Sequence, residues 1–249
     1  VTYIGEQAFR QVPSDIHVTA SNAYIGGWAF WDAKGNIYIP DSADIQTGAF
    51  SDMQGTLVVT CDTGVIPSDF VYKGQYNSAR SGVASLEIGS GITEIENGAF
   101  ASCTNLARVT LPDTLTTLGD NAFDQCTALE EIKLCEGLKT VGASCFNSAK
   151  LTHITIPASV TSLGSSAFAN NTSLTEIVLL GRGDTCTIGE NAFAGTTATV
   201  YCPDEQERET PTWTEETRQN YGGTLTWQEW YTLGDTPDCQ HEFISESVS

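Results

Sequence analysis

The sequence reads as an α/β-type repeat solenoid, a right-handed stack of coils. It predicts a single parallel sheet with one short strand per turn and a mostly irregular or short helical convex side. Two observations predict it: a phenylalanine phrase that recurs nine times and a strand phrase that recurs between the phenylalanines, in a chain whose 40% apolar content is enough to build a substantial core.

The first phrase is an aliphatic residue followed four or five positions later by Phe, usually as Ala-Phe. It occurs as Ile4…Phe9, Ile25…Phe30, Ile45…Phe50, Ile66…Phe70, Ile95…Phe100, Leu118…Phe123, Val141…Phe146, Leu163…Phe168 and Ile188…Phe193. The phenylalanines are separated by 21, 20, 20, 30, 23, 23, 22 and 25 residues. Self-similarity at such a period is the mark of stacked supersecondary units, none of which buries its apolar face alone.

The second phrase is clearest as Leu106-x-x-Val109-x-Leu111-Pro112, Leu129-x-x-Ile132-x-Leu134, Leu151-x-x-Ile154-x-Ile156-Pro157 and Leu174-x-x-Ile177-x-Leu179. Its alternation has the period of a strand with one buried face. The same pairs recur earlier at Ile16/Val18, Ile37/Ile39, Leu57/Val59 and Leu86/Ile88. Proline after the strand ends the ladder, and the Asp or Ser that follows begins a turn. The phenylalanines of successive turns are expected to form one buried column.

Stretches such as LPDTLTTLGDNAFDQCTALEEIKL and IPASVTSLGSSAFANNTSLTEIVL resemble the BspA-type leucine-rich repeats of bacterial surface proteins. The resemblance covers residues 1–203, about nine turns. It implies an extracellular or cell-surface module that adheres to a protein or glycan on host or neighbouring cells, and it carries over no catalytic residue. The alternative is a structural spacer within a larger cell-wall protein, with no ligand of its own.

After Cys202-Pro203 the repeat stops and the composition changes: residues 204–249 hold eleven acids and two bases. Thr212-Trp213-Thr214-Glu215 fits a helix start, Gly222-Gly223 a stop, and Thr224-Leu225-Thr226-Trp227 a last strand. Solenoids need an end-piece over the open core, so 204–230 is read as a C-terminal cap and 231–249 as a polar linker or the start of a further module. Two turns are lengthened, one around Val71–Arg80 and one at Gly181–Thr185. The second contains Arg182-Gly183-Asp184, a tripeptide that ordinary residue frequencies produce by chance, and it is given no role.

Chemistry is excluded on several counts. The net charge of −20 repels nucleic acid and anionic lipid. No apolar run reaches the ~20 residues of a membrane span, so no membrane insertion is expected. No nucleophile elbow, phosphate loop or calcium loop is present, and His17 and His153 fall in distant turns. The chain is therefore not expected to be an enzyme, to bind a metal or to use a cofactor, and it is expected to be a monomer. Most of the eight cysteines take repeat positions and are expected to stay reduced. Cys103–Cys126 and Cys186–Cys202 are the pairs near enough to bridge. Cys239 and His241 supply two zinc-type ligands where a structural site needs four.

If a ligand binds, the outward side of the strands is the expected surface. One column reads Arg108, Glu131, His153, Glu176; the other reads Tyr38, Val58, Glu87, Thr110, Lys133, Thr155, Val178, Tyr201. Arg108, Lys133 and His153 stand out in a chain poor in bases and would anchor an acidic or hydrogen-bonding partner. Glu87 and Glu131 complete the charged set, with Tyr38 and Tyr201 as flat contacts near the two ends.

Overall fold

The computed structural model describes residues 1–71, 82–181, 186–203 and 220–230. All of its strand pairs are parallel, in register and between successive coils, as the repeat requires. The expected helical elements of the convex side and the single sheet are both corrected: among the described residues there is no helix, and most coils carry strands on two sides.

One side holds the longer strands. β2 (Ile16–His17), β4 (Ile37–Pro40), β6 (Thr56–Thr60), β8 (Ser85–Ile88) and β10 (Arg108–Thr110) form one ladder. β13 (His153–Ile156), β15 (Glu176–Leu179), β17 (Thr197–Pro203) and β18 (Thr224–Trp230) form another. The run expected to add a last strand thus does so, as β18. The other side holds two-residue strands: β1 (Tyr3–Ile4), β3 (Tyr24–Ile25) and β5 (Asp44–Ile45) in one ladder. A second ladder there joins β7 (Val65–Ile66), β9 (Glu94–Ile95), β11 (Thr117–Leu118), β12 (Thr140–Val141), β14 (Ser162–Leu163) and β16 (Thr187–Ile188).

Each side is interrupted once, at different coils. Residues 131–135 form no strand, which separates β10 from β13 on the long-strand side while β11 and β12 stay paired on the other. The short-strand side breaks between β5 and β7, where β4 and β6 remain paired. In that region the Asp41 carboxylate accepts the amides of Asp62, Thr63 and Gly64. The following phrase, Ile66-Pro67-Ser68-Asp69-Phe70, is also one residue short of the repeat.

The third side of each coil is the Ala-Phe arc, and its hydrogen bonds explain the missing helix. Ala122, Asp124 and Cys126 donate to carbonyls three residues back, as in successive β-turns. Asn121, Phe123 and Gln125 donate instead to Ala143, Cys145 and Asn147 of the next coil, at 2.8–2.9 Å. Alternating amides therefore leave the coil, and a helix needs all of them within it. The alternation is set by left-handed residues two before and two after Phe, such as Asn121 (φ 57) and Gln125 (φ 57). Asn, Asp, Ser, Gln and Gly hold most of these positions; Asn, Asp and Gly tolerate that conformation best.

The core lies between the three sides. Phe100, Phe123, Phe146, Phe168 and Phe193 stack with centroids 5.2–5.8 Å apart and planes within 13°. All five are fully buried. The short phrase turns Phe70 edge-on to Phe100, at 72°. Of the strand residues expected to point inward, Ile37, Ile39, Ile132, Leu134, Ile154 and Ile156 are buried. Val109 and Leu111 are only half-buried, at the end of their ladder.

Candidate functional site

The outward face of the long-strand side forms because side chains alternate along each strand and successive strands are in register. Tyr38, Val58, Glu87 and Thr110 are register partners across β4, β6, β8 and β10. Thr155, Val178, Tyr201 and Gln228 are partners across β13, β15, β17 and β18. The expected second column is thus a row of four and a row of three, with Lys133 exposed in the strandless coil between them and Gln228 extending the second row by one strand.

In the first column, Arg108 pairs in register with Ser85 and His153 with Glu176. Glu131, also in the strandless coil, reaches His153 Nε2 at 3.8 Å. Thr152 Oγ lies 3.2 Å from His153 Nδ1, so both ring nitrogens of the histidine have a neighbour. Arg108, Glu131, Lys133 and His153 fall on three adjacent coils and are all exposed. Tyr38 and Tyr201 do not join them. Seven coil steps of about 4.8 Å put them roughly 34 Å apart, so only an extended partner could touch both.

His17, not counted among the expected site residues, extends the second column by one coil. Its ring stacks on Tyr38 with centroids 4.0 Å apart and planes within 12°. The alternation Ile16-His17-Val18 carried that signal. Val58 and Val178, though outward in register, are almost fully buried by their neighbours. The face is therefore polar and aromatic at its ends, charged at its middle, and without an apolar trough.

The lengthened turn around Val71–Arg80 and the tripeptide at 182–184 lie largely or wholly outside the described residues, as do the helix start expected at Thr212–Glu215 and the expected linker 231–249. Among the described residues, no group of three or more His, Cys, Asp or Glu could hold a metal. They include no helix long and apolar enough to cross a membrane, and no disulfide joins their cysteines. Burial raises the thiol pKa of Cys126, Cys135, Cys145 and Cys186, for Cys186 to about 11, which disfavours the reactive thiolate.

The chain is similar to a leucine-rich repeat protein of T. pallidum at 19% identity, over 71% of this chain and 90% of that one, with a TM-score of 0.49. It is also similar to a leucine-rich repeat protein of Bacteroides ovatus at 20% identity, over 87% and 69% of the two chains, with a TM-score of 0.40. A leucine-rich cell surface protein of Faecalibacterium prausnitzii matches at 20% identity, over 78% and 63%, with a TM-score of 0.44. No curated protein sequence matches. A family model for the BspA-type leucine-rich repeat region matches residues 1–103 and 71–200 in six copies, and the chain belongs to that family.

Proposed function

We propose that this chain is a non-catalytic recognition module, displayed outside the cell or on its surface, that binds a protein or glycan of host or neighbouring cells. The surface location rests on the family. The observation that carries recognition is the exposure of Arg108, Lys133, His153 and Glu131 on three neighbouring coils of a chain that is otherwise strongly acidic. Three basic or protonatable side chains on adjacent stacked coils are pre-positioned, so a partner's acidic groups meet them at small entropic cost.

A spacer role is the second reading. It is favoured by the hydrogen bonding between coils, since Phe100, Phe123, Phe146 and Phe168 each donate their amide to the next coil and the aromatic column runs through five coils. Such a body transmits load without a ligand. A binding screen of the purified chain against host matrix proteins and glycans separates the two. Recognition predicts at least one saturable partner; a spacer predicts none, and a screen without any saturable partner would overturn the proposal.

A further inference from the structure

The interruption at residues 131–135 lies inside the solenoid, with paired coils before and after it, and it ends the β10 ladder in the middle of the long-strand face. Among the described residues, no backbone hydrogen bond joins 131–135 to β10 on one side or to β13 on the other. The gap is local. Just before it Thr127 Oγ donates to the Thr104 carbonyl at 3.4 Å, and just after it the Lys139 amide donates to the Thr116 carbonyl at 2.8 Å. On the other two sides of the same coils β11 pairs with β12, and Phe123 stacks between Phe100 and Phe146.

Nothing in residues 131–135 forbids pairing. They hold neither glycine nor proline, and Ile132 and Leu134 are buried like the inward residues of paired strands. The effect shows on the neighbouring coil, where Val109 and Leu111 are only half-buried. Their counterparts Leu86 and Ile88 one coil earlier, and Ile154 and Ile156 two coils later, are at most 3% exposed. A strand edge without a ladder partner, beside a partly open apolar floor, is a template for another strand.

We propose that this interruption receives an extended polypeptide segment, which adds a strand beside β10 with apolar residues inward and an acidic residue outward. The proposal rests on the recognition reading above and names the class of partner for that face. Side chains of an added strand alternate, and the inward ones meet Val109, Leu111, Ile132 and Leu134. Of the outward ones, the register of the repeat sets one between Arg108 and Glu131, whose charges balance, and the next between Thr110 and Lys133. The second is the acidic position, with Lys133 directly opposite and Arg108 on the diagonal, both within reach of a glutamate. A polypeptide supplies the evenly spaced N–H and C=O groups that such an edge pairs with, and a glycan does not. Admitting it parts the coils on this side by one strand spacing, about 4.8 Å, and no ladder bond breaks.

Hydrogen exchange of the whole chain, read by mass spectrometry with and without a synthetic heptapeptide, tests the proposal. In the peptide valines alternate with polar residues, threonine at the flanks and glutamate at the centre, and a second version is N-methylated along its backbone. In the free chain, amides 131–135 should exchange at least tenfold faster than those of β15, which is paired on both sides. The unmethylated peptide should slow them at least tenfold, and the methylated one should leave them unchanged. In the Arg108→Ala, Lys133→Ala double variant, with its thermal midpoint unchanged, the peptide should bind at least tenfold more weakly. Three results each overturn the proposal: protection of 131–135 in the free chain equal to that of β15, no binding of the peptide, or equal protection by both peptides. If binding survives methylation but is lost in the double variant, strand addition is excluded and the recognition reading stands on charge alone.

Discussion

Phe123 and Phe146 lie with ring centroids 5.5 Å apart and planes within 3° of parallel, and Phe100 repeats the 5.5 Å spacing on the other side of Phe123. Each ring is walled by the rings of neighbouring coils, so truncation opens a cavity that neither coil can close alone. Phe123→Ala should cost about 3–5 kcal/mol in urea unfolding, as for other buried aromatics. A loss below about 1 kcal/mol would show that the column does not support the fold.

Asn171 occupies the interior position that Cys103, Cys126 and Ala149 take in other coils. Its side-chain amide donates to the carbonyls of Phe146 at 2.8 Å and Phe168 at 2.9 Å, and its oxygen accepts the Leu151 amide. All of this is buried. Asn171→Ala leaves those backbone groups without that partner and should cost about 1–3 kcal/mol by chemical denaturation. A neutral effect would mean that the carbonyls are satisfied otherwise.

Corner glycines set how closely coils approach. A Cβ on Gly142 would sit 2.5 Å from the Gly119 carbonyl carbon and the Asp120 amide nitrogen, both backbone atoms that no rotamer change can move. Gly142→Ala should therefore destabilise by about 1–3 kcal/mol, in line with overpacking elsewhere. An unchanged thermal midpoint would contradict the close stacking.

The aliphatic–Phe period and the strand alternation were legible in the sequence because both rest on apolar spacing, which burial enforces in every coil. The aromatic column and the register of Tyr38, Glu87 and Thr110 followed directly. The two-residue strands were not legible, since Thr117-Leu118 or Thr140-Val141 offers one inward residue and no alternation. The short helices expected as one option for the convex side are absent from the described residues for a local reason. Two left-handed residues per coil, such as Ser144 and Ser148, send alternate amides to the next coil. The Asn, Asp, Ser and Gly flanking Ala-Phe were the available signal. At the site, the interruption at 131–135 could not be read, because Leu129-x-x-Ile132-x-Leu134 carries the same pattern as its paired neighbours.

Burial raises the pKa of Cys145 far above a thiol's usual 9 and that of Cys186 to about 11. Below pH 9 both folded and unfolded thiols are protonated, and the shift has no effect. Above it the unfolded chain loses protons that the folded chain keeps, so stability falls from pH 9 to 11 for Cys186 and further for Cys145. Cys145→Ala installs the residue that most coils carry there. Its urea midpoint should fall less than that of the parent chain between pH 8.5 and 10.5. An equal fall would show that Cys145 is not held neutral by the core.

Titration calorimetry of the Arg108→Ala, Lys133→Ala double variant against an acidic partner found in the binding screen tests the central claim most directly. The predicted result is an affinity at least tenfold weaker than that of the parent chain, about 1.4 kcal/mol, with an unchanged unfolding midpoint. An affinity equal to the parent's would contradict the account and remove the long-strand face as the surface of recognition.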